Sequence, residues 1–189
     1  MIDAIFDISG DGVPADYPFG LWNELQRLMP ELSVSSAGVL PLRTAGSVSG
    51  LLLARRAKLT VRLPLSFAEK LLEISGQVLD LGAYRLQIGS GKLREIQAYP
   101  TISSHLVAGE RDEVVFMDNI AASLEQMGIA ANLICGRASA LEGPDHAIHG
   151  FSLVIHNLKP EDSLRLQYTG LGSNRHHGCG VFIPYKVIS

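Results

Sequence analysis

Two hydrophobic periods alternate along this chain, and they do so twice in the same order. Ile2 to Ile8 reads at period two, with Ile2, Ala4, Phe6 and Ile8 on one side and Asp3 and Asp7 on the other. That is the pattern of a half-buried strand. After Asp16, the residues Leu21, Leu25 and Leu28 recur at helical spacing until Pro30 stops them. The spacing predicts strands over 34–42 and 50–63. A second helix follows, with Phe67, Leu71 and Ile74 as its apolar positions, Ser66-x-x-Glu69 as a capping box and Gly76 as its end. A strand over 78–88 closes the series βαββαβ.

Gly89-Ser90-Gly91 then punctuates the chain, and the order restarts. Residues 95–107 alternate, with Ile96, Ala98, Ile102 and Leu106 on one face. Phe116, Ile120 and Leu124 lie at helical spacing before Gly128. Strands are expected over 130–137 and 147–156, a short helix over 160–168 begun by Pro160, and a last strand over 181–187. The fold class is therefore α+β: two tandem ferredoxin-like βαββαβ domains, expected at 1–90 and 91–189. The halves share little residue identity, so the repeat is one of structure.

Composition bounds the function. A chain of 189 residues with 47% apolar and 19% charged residues can bury a core. A net charge of -3 and a pI near 6.0 do not announce a nucleic-acid binder, so any such surface must be a local patch. Two cysteines, Cys135 and Cys179, are too few for a disulfide scaffold and read as small buried thiols. No charged segment with an apolar run opens the chain, and no apolar run is long enough to span a membrane. A soluble cytoplasmic protein without membrane partners is expected.

Gly170, Gly172, Gly178 and Gly180 crowd into the segment Gly-Leu-Gly-Ser-Asn-Arg-His-His-Gly-Cys-Gly. A dinucleotide fingerprint needs a strand before the glycines and a helix after them, whereas only nine residues follow Gly180. A P-loop needs Gly-Lys-Ser/Thr opening a helix, which is absent. Neither of these nucleotide-cofactor sites fits, and no cofactor is implied. Two readings remain open. One is a helix-to-strand loop whose bare backbone approaches a polyanion, with Arg175, His176 and His177 adding donors. The other is a flexible loop with a glycine cap at Gly170.

The segment Ser163–Pro184 resembles the C-terminal signature of the repeat-associated RNA-processing (RAMP) superfamily. Within it, the chain is most similar to the small CRISPR pre-crRNA endoribonucleases of the myxan-type subtype (the Cas-six type). Weaker likeness lies in Val13-Pro-Ala-Asp16, in Ala37-Gly-Val39 with Pro41, in 76–81 and in 101–106. The resemblance implies two ferredoxin-like domains with a glycine-rich loop between the last helix and the last strand. It implies metal-independent cleavage of CRISPR repeat RNA, in which the 2′-hydroxyl attacks the adjacent phosphate. It also implies that Gly170, Gly172, Ser173, Asn174, Arg175, Gly178 and Gly180 contact RNA.

Such a reaction needs a proton acceptor, a proton donor and groups that hold the phosphate. Similar sequences carry a His just after Val-Pro-Ala-Asp and a second where this chain has Leu40. Here the first position is Tyr17, and residues 1–104 contain no His at all. A phenol of pKa about 10 is a poor base at neutral pH, so Tyr17 is expected either to pack at the helix start or to orient the leaving group. His176 and His177 are the remaining candidates for proton transfer. The absence also supports a second reading: a non-catalytic crRNA-binding subunit that works with other CRISPR effector subunits. A small-molecule enzyme on the same fold is a third.

Outside the loop, Arg56, Lys58 and Arg62 are expected on one strand face over roughly 20 Å, with Arg55 on the other. Such cations suit phosphates, and Arg43 and Arg137 are expected to add to them. The competing reading is an ordinary solvated face. His105 shares a face with Tyr99, Thr101 and Ser103, either as an RNA-facing set or as plain exposed sheet. His146-x-x-His149 has no further ligands to complete a metal site. Aromatic residues are only 6% of the chain, so a hairpin read by shape and phosphates is favoured over stacked single-stranded bases. Trp22 flanks Leu21 and Leu25 and reads as core.

Overall fold

The computed structural model describes residues 1–47 and 50–185. The chain divides into two compact units. One is Met1–Glu95 together with His176–Gly178; the other is Ile96–Arg175 with the segment from Cys179.

In the first unit, β1 (Ile2–Ser9), β3 (Gly38–Val39), β6 (Lys58–Leu63), β7 (Val78–Leu81) and β8 (Tyr84–Arg94) form one antiparallel sheet in the order β3-β6-β1-β8-β7. The inner order β3-β6-β1-β8 is that of a ferredoxin-like βαββαβ sheet. β7 is added at the edge by a hairpin. The helices are α1 (Tyr17–Leu28) and α2 (Leu65–Leu72). Ala4, Phe6 and Ile8 of β1 form one core with Leu21 and Leu25 of α1 and Ala68 and Leu71 of α2. A smaller sheet joins β2 (Gly12–Val13), β5 (Gly50–Leu53) and β4 (Thr44–Ser47), in that order.

Five local expectations are corrected. Residues 34–42 do not form one strand: Pro30–Val34 is a 3-10 turn, and only Gly38 and Val39 pair, opposite Arg62 and Val61. Residues 50–63 are two strands, β5 and β6, because the chain turns at Arg55 and Arg56 and the Ala57 N–H donates to the Ala54 carbonyl at 2.9 Å. Residues 78–88 are a hairpin, turned at Gly82 (φ 76°), whose N–H donates to Asp80 Oδ1 at 3.0 Å. The capping box does not form, because α2 begins at Leu65 after Pro64, and no side chain caps it. Gly89-Ser90-Gly91 lies inside β8, where Gly91 pairs with Phe6. A Cβ on Gly91 would stand 2.6 Å from the Phe6 ring, so the glycine marks a close approach.

The second unit has β9 (Ile102–Ala108), α3 (Glu113–Gln126), β10 (Asn132–Leu141), β11 (Ile148–His156), α4 (Pro160–Thr169) and β12 (Ile183–Pro184). Its sheet order, β10-β11-β9-β12, is again ferredoxin-like. Asp112 caps α3 by accepting the Val114 and Val115 N–H groups at 2.9 and 3.0 Å. Phe116, Ile120 and Leu124 on α3, Leu166 on α4, and Ile102, Phe151, Leu153 and Ile155 on the sheet make the core. The first strand begins at Ile102 rather than 95, and part of the expected last strand, 186–187, lies outside the described residues.

Candidate functional site

The glycine-rich segment is a packed turn. α4 ends at Gly170, whose φ of 70° is open to glycine at little cost. Gly172, Gly178 and Gly180 also have positive φ, as does Asn174 (φ 63°). The Gly180 N–H donates to the Leu106 carbonyl at 2.8 Å, the Leu171 N–H to the Gly180 carbonyl at 3.3 Å, and the Cys179 N–H to the Asn174 carbonyl at 3.1 Å. A Cβ on Gly180 would lie 1.8 Å from the Leu171 carbonyl oxygen, and one on Gly170 would lie 2.5 Å from that of Gly180. These two glycines are therefore required by the protein's own backbone. Arg175 turns back to donate to the Tyr168 carbonyl. Gly172 and Ser173 are exposed, and Asn174 is half-buried, its amide donating to Ser173 Oγ at 2.9 Å.

The three residues that follow Arg175 belong to the first unit. The His177 ring lies 4.3 Å from that of Phe19, and the His176 ring 5.2 Å from that of Trp22. The two imidazoles are 4.1 Å apart. Gly178 sits beside Val39 and Pro41, where a Cβ would be 3.2 Å from the Val39 carbonyl oxygen. Burial pushes the His176 pKa below the ordinary imidazole value. At neutral pH such a ring is a neutral proton acceptor.

Tyr17, at the start of α1, is 7% exposed. Its hydroxyl accepts the Leu42 backbone N–H at 2.9 Å. Burial raises its pKa further above the phenol value, against the smaller opposing pull of that hydrogen bond. Tyr17 therefore keeps its proton near neutrality. It also ties α1 to the segment carrying Val39 and Pro41, on which Gly178 rests. Trp22 belongs to the core, as its spacing predicted, and also touches His176. That second contact, and the one from Phe19, had no signal in the sequence.

Of the three cations expected on one strand face, Lys58 and Arg62 do share a face of β6, opposite Asp7 and Asp3, but Arg56 lies outside the strand and the two on it differ in burial. Arg56 is in the turn before β6. Lys58 is exposed and ion-paired with Asp7. Arg62 is only 2% exposed, with Nε 2.7 Å from Asp3 Oδ1, and Arg94 reaches the same carboxylate at 3.3 Å. A guanidinium buried in this way offers no surface to a ligand, so Arg62 is a core residue. Its pairing register explains it: Asp3 and Arg62 are opposite one another across β1 and β6. Arg43 and Arg56 are exposed.

In the second unit, His105 is exposed on β9 and Arg137 on β10. The Arg137 backbone N–H is held by Ser152 Oγ at 2.9 Å. His146 and His149 line a cleft with Arg111, Ser173 and Asn174, and His149 Nε2 is 2.6 Å from an Arg111 nitrogen. Among the described residues, no group of three or more His, Cys, Asp and Glu side chains is arranged to hold a metal ion. No helix among them is long and apolar enough to cross a membrane.

Comparison with known proteins fits this architecture. The family model for Cas6, described as Cas6 Crispr, matches residues 2–187. A CRISPR-associated endonuclease Cas6 from Myxococcus xanthus (strain DK1622) is 32% identical over 187 residues, which is 97% of this chain and 81% of that protein. Among solved structures, a CRISPR-associated protein Cas6 superposes with a TM-score of 0.71 at 11% identity, covering 98% of this chain and 99% of the other. A RAMP protein binding different RNA substrates gives 0.69 at 13% identity, covering 96% and 98%.

Proposed function

The chain belongs to the Cas6 family, and from that premise we propose that it is an endoribonuclease that cuts CRISPR repeat RNA without a metal ion. The curated relative is an endonuclease, and one structural neighbour is described as binding RNA. The observation that carries the catalytic part is the contact of His176 and His177 with Phe19 and Trp22 on α1. The imidazoles that α1 lacks are brought to it by the glycine-rich segment.

In the proposed reaction the 2′-hydroxyl oxygen forms a bond to the adjacent phosphorus, and the bond from phosphorus to the 5′ oxygen breaks. The products are a 2′,3′-cyclic phosphate and a 5′-hydroxyl. His176, neutral at pH 7, takes the 2′-hydroxyl proton, and His177 supplies the proton that the leaving 5′ oxygen needs. Tyr17 acts as a positioning residue through Leu42. Gly172, Ser173, Asn174, His105 and Arg137 are proposed to contact RNA from the second unit, and Arg43, Arg56 and Lys58 from the first. Burial of the RNA phosphates against such groups supplies affinity rather than sequence reading.

The test is incubation with a repeat RNA in the presence of EDTA. A single cut leaving a cyclic phosphate is expected, and a 2′-deoxy nucleotide before the scissile phosphate should abolish it. Tight binding without a cut would instead establish the second reading, a crRNA-binding subunit, which the buried and hydrogen-bonded state of Tyr17 favours. No binding to repeat RNA at all would sink both.

A further inference from the structure

Residues 1–95 carry ten basic side chains. Six face a carboxylate: Arg27 with Glu24, Lys58 with Asp7, Arg62 and Arg94 with Asp3, Lys70 with Glu31, and Arg85 with Asp80. Among the described residues, Arg43, Arg55, Arg56 and Lys92 have no such ion pair. Three of these four are gathered at the base of the β4–β5 hairpin. Thr44 pairs with Leu53, and the Ala54 N–H then donates to the Arg43 carbonyl at 2.9 Å. Arg55 and Arg56 form the turn that follows directly, closed by Ala57. All three side chains are exposed.

The period-two reading of the sequence put Arg55 and Arg56 on opposite faces of one strand. The turn removes that alternation and brings both beside Arg43. Asp11 comes to the same end of this small sheet, its carbonyl accepting the Leu53 N–H at 3.4 Å. Its carboxylate pairs with none of the three arginines. In a chain of net charge -3, this is a local excess of positive charge of the kind that composition alone required of a nucleic-acid binder. Guanidinium groups are planar, permanently charged forks that match phosphate oxygens.

We propose that Arg43, Arg55 and Arg56 form a phosphate-binding clamp for the RNA backbone, separate from the His176–His177 pair. The inference rests on the RNA reading above and deepens it by naming where the backbone is gripped. The clamp adds affinity and register, and takes no part in proton transfer.

The experiment is repeat-RNA binding by fluorescence anisotropy across a series of salt concentrations. The Arg43→Gln/Arg55→Gln/Arg56→Gln variant is compared with the wild type and with Arg85→Gln, an exposed arginine that is already ion-paired. Loss of three phosphate contacts lowers the slope of log K against log salt by roughly 2 to 3. Arg85→Gln should leave it unchanged. If the triple variant folds poorly by circular dichroism, Arg55→Gln/Arg56→Gln serves in its place, with an expected decrease of roughly 1 to 2. A wild type that binds while the folded variant keeps its full slope overturns the clamp alone. A wild type that binds no RNA overturns the RNA reading and the clamp with it.

Discussion

The imidazole of His176 lies 5.2 Å from the indole of Trp22, ring centre to ring centre. Partial burial there removes water from the ring and disfavours its charged form, so its pKa falls below the usual imidazole value. A base must be neutral to act, so with His176 as the proposed base, cleavage is expected to be lost as pH falls through that lowered pKa. The acid limb of the rate profile is therefore expected below the ordinary value for a histidine. His176→Ala should lower the single-turnover rate by about 10²–10⁴-fold while repeat-RNA affinity stays nearly unchanged. A rate equal to wild type would remove His176 from the chemistry.

Tyr17→Phe separates positioning from proton transfer. Removing the hydroxyl leaves the Leu42 N–H, now bonded to it at 2.9 Å, without that acceptor in a buried setting, which costs about 1–3 kcal/mol. Thermal unfolding should show a lower midpoint. At temperatures where the variant is folded, the cut rate should remain within several-fold of wild type. A stable variant with the rate abolished would identify Tyr17 as the proton carrier instead.

Asp3→Ala should be among the most destabilising single changes in the first unit. Asp3 and Arg62 are 1% and 2% exposed, and the Asp3 carboxylate also meets Arg94. Taking it away removes the carboxylate that faces the buried guanidinium, at a cost of about 3–5 kcal/mol. Urea unfolding measures this, and Arg62→Met in the same background should recover part of the loss.

Gly180→Ala tests whether the glycine-rich segment is built for its own backbone. The residue has φ of 63°, and a Cβ would fall 1.8 Å from the Leu171 carbonyl oxygen. The strain of that backbone region is about 1–3 kcal/mol before the clash is counted. A clear fall in thermal midpoint is expected. Gly76→Ala also puts a side chain at positive φ (86°) but meets nothing within 4 Å, so it should cost less.

Much of the fold was legible because it follows from hydrophobic period. β1, α1, α3, β11 and α4 lie close to the ranges their spacing predicts. The errors share a physical origin. Period two persists across 50–63 and 78–88, so nothing local in the apolar pattern betrays the turns at Arg55–Arg56 and Gly82. A Ser-x-x-Glu spacing marks a cap only if the helix starts there, and the chain enters α2 directly after Pro64. Gly89 and Gly91 resemble a joint in sequence, but in β8 Gly91 is a place where Phe6 comes close.

The candidate site was legible in its residue types more than in its arrangement. His176 and His177 stood out because glycines surround them and residues 1–104 contain no histidine. Their contact with Phe19 and Trp22 joins positions more than 150 residues apart, which no local pattern encodes. Arg62 was misplaced because alternation assigns a face but not a partner. Its charge is buried because Asp3 lies opposite it in the register of β1 and β6.

The sequence alone determined two ferredoxin-like repeats and excluded a dinucleotide fold at the C-terminal glycines. Both conclusions rest on short-range spacing, which acts through the backbone geometry of neighbouring residues. Only the tertiary structure decided which cations are cancelled and which stand free of ion pairs. It also decided that the buried Tyr17 hydroxyl accepts the Leu42 N–H and that His176 and His177 meet the first helix. Those outcomes depend on strand register, turns and burial, and these emerge only when distant segments pack.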